Sequence, residues 1–179
     1  MPITRLLVFD DAPDIAELLR TNRSFLAPWQ PQRSEEYFTD EGQIEVVRQA
    51  LDERQRGTSV PRVIVDEQDR LVGTITLQSI IRGSFQSCSV GYWLAEDAQG
   101  LGLATAALRE ATHIAFHDLR LHRVQAETLP HNVKSRRVLD RVGFTQYGLA
   151  EAYLKIAGQW RDNVLYQLLT PVPDLVRTA

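Results

Sequence analysis

Residues 99–105 read Gln99-Gly100-Leu101-Gly102-Leu103-Ala104-Thr105. The stretch lies between a predicted strand and an amphipathic helix, and its two glycines let the backbone curl tightly at the junction. The first N–H groups of a helix have no acceptor within the helix and carry partial positive charge, so this turn suits a phosphate group. A tight turn that needs glycine only for its geometry is the alternative, and two glycines alone favour it.

Two common nucleotide-binding motifs do not fit this turn. A dinucleotide-binding turn places a third glycine where Thr105 stands. It also places an acidic residue about 20 residues later, where residues 120–123 offer none. A P-loop continues with Gly-Lys-Ser/Thr, whereas Gly102 is followed by Leu103. The sequence therefore excludes both motifs here.

The apolar pattern on either side of the turn predicts a mixed α/β fold. Helical spacing begins after Asp11, which we expect to cap the first helix, and β-branched runs predict an antiparallel meander in mid-chain. The predicted order is β-α-α-β-β-β-α-β-α-β-β, in which one helix connects adjacent strands. The predicted strands are 5–9, 60–65, 71–81, 87–95, 123–128, 144–152 and 163–169, and the later helices are 40–56, 103–117 and 132–142.

Composition limits the class of protein. A chain of 179 residues, 44% hydrophobic and 24% charged, predicts one globular domain over 1–179. The net charge of −3 gives no general reason to bind nucleic acid. No uncharged stretch is long enough to span a bilayer, and the start does not resemble a signal peptide, so we expect a cytoplasmic protein without a membrane partner. A single cysteine, Cys88, and the absence of zinc spacing predict neither a disulfide nor a metal.

A second segment makes the sequence signal of the turn at 99–105 more specific. Residues 130–144 form an asparagine-led helix that starts at Asn132 and ends in Gly143-Phe144. Together with Gln99-x-x-Gly102-x-Ala104, this segment resembles the GNAT superfamily, the GCN5-related N-acetyltransferases. The resemblance implies a single-domain GNAT fold with a mixed, mostly antiparallel sheet that splays where acetyl-CoA binds.

Three further segments are similar to the ribosomal-protein alanine N-acetyltransferases, the Rim-type branch of that superfamily. They are residues 22–29, residues 82–85 with Gly91-Tyr92, and residues 153–162. The resemblance implies transfer of an acetyl group to a primary amine, above all the N-terminal α-amino group of a ribosomal protein. One departure is Asp162-Asn163, where the branch commonly has Asp-His, and it puts the choice of substrate in doubt.

The resemblance also implies which residues hold acetyl-CoA. Backbone groups near Tyr92 should run beside the pantetheine arm, the amides of 101–105 should hold the pyrophosphate, and Asn132 should bond the pantetheine or acetyl region. Arg137 is the candidate for the nucleotide phosphate, although a single charge at such a position favours the alternative, a solvated helix face. The predicted cofactor set is Tyr92, Trp93, Leu94, Gln99, Gly100, Leu101, Gly102, Leu103, Ala104, Thr105, Asn132 and Arg137.

Two residues are the candidate catalysts. Glu127 lies on the strand before Asn132, where related N-terminal acetyltransferases carry a general base; an exposed strand glutamate is the alternative. The tyrosine that relatives use as an acid is replaced by Leu139, so the resemblance points to Ser135, which could also be only a helix cap. Tyr92 and Tyr153 are further candidates for the acid.

The acceptor is the most open part of the prediction. Phe25, Trp29, Tyr153 and Trp160 could wall its site, although aromatics at such places also form ordinary core. Acetylation of a small-molecule amine is an alternative activity, and a non-catalytic acyl-CoA-binding module is an alternative class. The sequence is compatible with a monomer or a homodimer.

Overall fold

The computed structural model describes residues 2–170. Its seven strands form one sheet with the order β1-β2-β3-β4-β5-β7-β6. The strands are β1 Thr4–Leu6, β2 Val60–Val65, β3 Leu71–Ile81, β4 Ser87–Leu94, β5 Arg123–Thr128, β6 Thr145–Ile156 and β7 Gln159–Leu169. The helices are α1 Ala12–Thr21, α2 Arg23–Leu26, α3 Asp40–Gln55, α4 Leu103–His113 and α5 Val133–Val142.

The observed order agrees with the predicted mixed α/β fold. Neighbouring strands are antiparallel except β4 and β5, which run parallel and are connected through α4. Some elements differ from the prediction, among them the helix from 103, which ends at His113. A single helical turn, α2, follows α1 and was not predicted. Strands β6 and β7 form a hairpin and are longer than predicted, because β6 continues to Ile156 and β7 already begins at Gln159. Their mutual pairing explains the extension, because polar strand residues gain ladder hydrogen bonds there.

The predicted cap at Asp11 is wrong. Asp11 has helical backbone angles, φ −76° and ψ −14°, so its carboxylate does not reach back over the first turn. The carboxylate instead accepts from the Val8 backbone N–H at 2.9 Å and pairs with the Arg5 guanidinium at 2.7 Å. The side chain is nearly buried, so the ion pair compensates its desolvation. The first strand also ends earlier than predicted, at Leu6.

Helices cover the two faces of the sheet unequally. On one face, α4 and α5 bury a core that includes Leu108, Val124 and Tyr166. On the other face, α1 and α3 pack over a second cluster that includes Val47 and Val63, against strands β2 and β3. The part of this second face formed by β4 and β5 carries polar side chains, because strand residues alternate between faces.

The pairing of β4 and β5 ends where the site begins. Their register runs from Ser87 opposite Arg123 to Ser89 opposite Gln125 and stops there. Both strands continue, to Leu94 and Thr128, so they part and leave a cleft between them. The splayed sheet predicted from the family resemblance is therefore confirmed. Within residues 2–170, no helix combines the length and apolar character that a membrane crossing requires.

Candidate functional site

The glycine turn forms an open backbone cradle at one end of the cleft. Gly100 and Gly102 have φ values of 79° and 82°, in the left-handed region that glycine adopts without strain. A Cβ atom built at either glycine would have nothing within 4 Å. The N–H of Ala106 makes the first helical bond, to the Gly102 carbonyl, so the three preceding N–H groups have no helical acceptor. The turn can therefore receive an anion.

The start of α5 lies beside this cradle. Asn132 caps the helix, because its Oδ1 accepts from the Ser135 N–H at 3.1 Å. This leaves its Nδ2 as the atom that can donate to a ligand. Lys134 Nζ donates to Gln99 Oε1 at 2.9 Å, which joins α5 directly to the glycine turn. The two segments that suggested the family are thus neighbours in space.

A tyrosine and a serine meet across the cleft. Tyr92 on β4 and Ser135 on α5 bring their hydroxyl oxygens to 3.1 Å. Burial raises the pKa of Tyr92 to about 12, with a smaller opposing effect of the Ser135 hydrogen bond, so the phenol stays protonated at neutral pH. Leu139, at the place of the relatives' tyrosine, is buried in the core and has no proton to give.

Glu127 approaches the cleft from the opposite face of the sheet. Its neighbour Ala126 belongs to the core beneath α4 and α5, so Glu127 points the other way. Ser89 Oγ donates to Glu127 Oε1 at 3.4 Å. Burial raises the pKa of the Glu127 carboxyl, and the Ser89 hydrogen bond lowers it by less. A carboxylate of raised basicity and a hydroxyl pair therefore flank the cleft on opposite faces.

Three basic residues near the start of α5 have different surroundings. Arg136 Nε donates to the Tyr166 hydroxyl at 3.1 Å and its NH1 to the Pro130 carbonyl at 3.2 Å. Lys134 is held by Gln99. Arg137 is exposed, and its guanidinium makes no hydrogen bond or ion pair to the residues that the structure describes. Of the three, Arg137 is therefore the cation left for a ligand.

The aromatic residues predicted to wall the acceptor site lie on different elements. The rings of Trp29 and His131 have centroids 5.6 Å apart, and Lys134 Nζ lies 5.9 Å from the centre of the Phe25 ring. Burial raises the pKa of Tyr153, and the negative charge of Glu127 raises that pKa further. Trp160 is 64% exposed on β7.

One positioning residue was missed from the sequence. Asn22 is buried, and its Oδ1 accepts from the Glu96 N–H at 2.8 Å while its Nδ2 donates to the Leu18 carbonyl at 2.9 Å. It therefore ties the end of α1 to the loop before the glycine turn. The segment 22–29 that suggested the Rim-type branch was the available signal.

Two other sequence features lie outside the chemistry of the cleft. Cys88 is buried, which raises the pKa of its thiol to about 12 and keeps it protonated at neutral pH. Asn163, the departure from the branch pattern, is also buried, and its Nδ2 donates to the Arg161 carbonyl at 3.0 Å. Its amide therefore stabilises the backbone of the β6–β7 hairpin.

Comparison with known proteins agrees with this geometry. A family model described as "Acetyltransferase (GNAT) domain" matches residues 3–145. The chain belongs to the GNAT family of acetyltransferases. Probable N-acetyltransferase YjcK of Bacillus subtilis (strain 168) is 34% identical over 168 residues, which cover 93% of each chain. The [Ribosomal protein uS5]-alanine N-acetyltransferase of Escherichia coli (strain K12) is also 34% identical, over 94% of this chain and 88% of that one.

A solved relative extends the comparison to the fold. Mycobacterium smegmatis RimJ in complex with CoA-disulfide superposes with a TM-score of 0.89 at 30% identity, covering 93% of this chain and 80% of that chain. The family, the fold class and the N-acetyltransferase activity predicted from the sequence are therefore confirmed for this acetyltransferase.

Proposed function

We propose that this acetyltransferase uses acetyl-CoA to acetylate the N-terminal α-amino group of a protein, such as a ribosomal protein. The observation that carries the proposal is the cleft between β4 and β5, flanked by Glu127 on one face and by the hydroxyls of Ser135 and Tyr92 on the other. The Escherichia coli relative, named for an alanine of ribosomal protein uS5, supports the choice of acceptor. Such an acceptor places the reaction in the cytoplasm.

The residues around the glycine turn fit the phosphates of acetyl-CoA. The unobstructed space at Gly100 and Gly102 admits a close anion, and the unpaired N–H groups that open α4 would donate to it. Beyond Ser89, β4 no longer pairs with β5, so its backbone groups on that edge are free to bond an amide-bearing arm. Arg137 would pair with a phosphate at the nucleotide end. The relative's complex with a CoA disulfide supports this assignment.

Glu127 serves as the general base. An α-amino group has a pKa near 7.7–8.0 and is mostly protonated at neutral pH, so it must lose a proton to attack. The raised pKa of Glu127 makes its carboxylate a better proton acceptor than an exposed one. A Glu127 oxygen takes one proton from the ammonium group, directly or through one water, and the freed nitrogen lone pair then attacks the thioester carbonyl carbon. The second proton leaves the nitrogen of the tetrahedral adduct to solvent as the amide forms.

Ser135 assists the departing sulfur. The hydroxyl oxygens of Tyr92 and Ser135 lie 3.1 Å apart, and either hydroxyl can donate to the other. In the arrangement that we propose, the protonated Tyr92 phenol donates to Ser135 Oγ and leaves the serine's own hydrogen free to donate into the cleft. As the carbon–sulfur bond breaks, the sulfur takes the electron pair and becomes a thiolate. The Ser135 hydrogen bond stabilises that charge and is strengthened by the one it accepts from Tyr92.

A parallel acceptor assay tests the proposal. The full chain is incubated with acetyl-CoA and an alanine-led peptide, a polyamine or a bacterial lysate, while thiol release and intact product mass are measured. We expect one acetyl group on the peptide and none on the same peptide with a blocked N-terminus. Acetylation of the polyamine alone would favour a small-molecule acceptor. If none of the three acceptors leads to thiol release, a non-catalytic acyl-CoA-binding module would be favoured.

A further inference from the structure

A row of hydrogen-bonded side chains continues from Glu127 along the same face of the sheet. Gln125 lies two residues before Glu127 on β5 and therefore points to the same side. Its Oε1 accepts from Ser87 Oγ at 3.3 Å, and its Nε2 donates to the Tyr147 hydroxyl at 2.7 Å. Both ends of the Gln125 amide are thus engaged, which fixes its orientation.

These bonds leave one donor, the Tyr147 hydroxyl hydrogen, without a hydrogen-bond acceptor among residues 2–170. A phenol can accept and donate one hydrogen bond each, and the Tyr147 oxygen already accepts from Gln125. Its hydrogen is therefore free for another acceptor. Tyr147 is 43% exposed and lies where the β6–β7 register shifts, between Gln146 and Gly148. Such an irregularity re-aims a side chain out of the regular pleat.

The spacing between Glu127 and Gln125, the residue that bonds the Tyr147 hydroxyl, suits a polypeptide. Residues two apart on a strand are separated by about 7 Å along the strand axis. In an extended peptide, this is also about the distance from the α-amino nitrogen to the carbonyl of the second residue. Both Glu127 and Tyr147 raise the pKa of Tyr153, after the larger effect of burial, which agrees with the three side chains lying on one side of the sheet.

We propose that Tyr147, oriented by Gln125, donates a hydrogen bond to the carbonyl oxygen of the acceptor's second residue and so selects polypeptides over small amines. This inference rests on the proposed acetylation of protein N-termini. It assigns a specificity role to two residues that take no part in proton transfer. The free hydrogen of the Tyr147 hydroxyl strengthens binding only of an acceptor whose second residue offers a carbonyl oxygen to it.

Two acceptors and three variants test it with the full chain. Alanyl-glycine N-methylamide carries the second carbonyl, whereas alanine N-propylamide lacks it. For Tyr147→Phe we expect KM for the first acceptor to rise about 5- to 10-fold, the range for one neutral hydrogen bond, with kcat little changed. We expect no change for the propylamide. Gln125→Met should raise the same KM, and adding it to Tyr147→Phe should cause no further loss.

Tyr37→Phe is the matched control, because it removes a phenolic hydroxyl from the helical layer that packs on the other end of the sheet. It should change neither acceptor's kinetics. An equal loss on both acceptors in Tyr147→Phe, or no loss on either, would overturn the inference while leaving the proposed function intact. If the wild-type protein acetylates neither compound, the proposed function fails, and the specificity role fails with it.

Discussion

A single methyl group at Gly102 should separate binding from folding. At φ 82° an alanine adopts the left-handed region at a cost of about 1–2 kcal/mol, and nothing within 4 Å adds a clash. In a chain of this length, Gly102→Ala should therefore lower Tm by roughly 2–8 °C. The added Cβ would occupy the open space that we assign to the pyrophosphate. We expect acetyl-CoA affinity to fall more than tenfold, about 1.4 kcal/mol or more.

Gly57 offers a matched control for this prediction. Its φ is 73°, a Cβ there would also meet nothing within 4 Å, and it follows the end of α3, away from the glycine turn. Gly57→Ala should therefore lose similar stability and keep its acetyl-CoA affinity. Melting curves with and without acetyl-CoA, together with calorimetric titration, measure both quantities. Equal affinity losses in the two variants would refute the reasoning, since the turn would then need glycine only for its geometry.

Two predictions concern the chemistry. Glu127→Gln should lower kcat about 100-fold or more near pH 7, with a smaller loss above the pKa of the amine and unchanged acetyl-CoA affinity. Burial raises the pKa of Glu127, so the folded state binds the carboxyl proton more tightly than the unfolded chain does. The stability of the wild type therefore falls as the pH rises through the range in which Glu127 loses this proton. Glu127→Gln should be at least as stable as the wild type at pH 8 in denaturant titrations. An unchanged kcat from pH 6 to 9 would remove Glu127 from the mechanism. Tyr92→Phe should lower kcat in the wild-type background and have little effect in Ser135→Ala, because Tyr92 acts through that serine. The Ser135→Ala deficit should shrink with thioesters of more acidic thiols, and additive losses would contradict the arrangement.

Most of the fold could be predicted because its signals are local. The β-branched runs of β2 to β4 and the glycines at 100 and 102 act through neighbouring residues, so periodicity and turn chemistry locate them. Asp11 shows where this fails. Its capping propensity is real, but its own backbone became helical and its carboxylate found Arg5. The single turn of α2 was missed because its four residues, Arg23–Leu26, are too few to show a helical apolar period.

The candidate site was predicted residue by residue, but not its arrangement. Arg136 and Arg137 are equivalent in sequence, yet successive helical residues point about 100° apart. One therefore reaches the Tyr166 hydroxyl and the other reaches solvent. The role of Asn22 depends in the same way on Glu96, a residue far along the chain. The hydrogen-bond partners of Arg136 and Asn22 could not be derived from the sequence, because both partners lie far along the chain.

The sequence by itself determined the main order of strands and helices, the glycine turn at 100–102 and the start of the last helix near Asn132, because each depends on residues a few positions apart. Only the tertiary structure decided that Tyr92 meets Ser135 and that Glu127 faces them from the other side of the cleft. The reason is the parallel pairing of β4 and β5, which stops at Ser89. The register between two strands joined by a helix is set by packing of the whole sheet, and no local pattern encodes where that pairing ends.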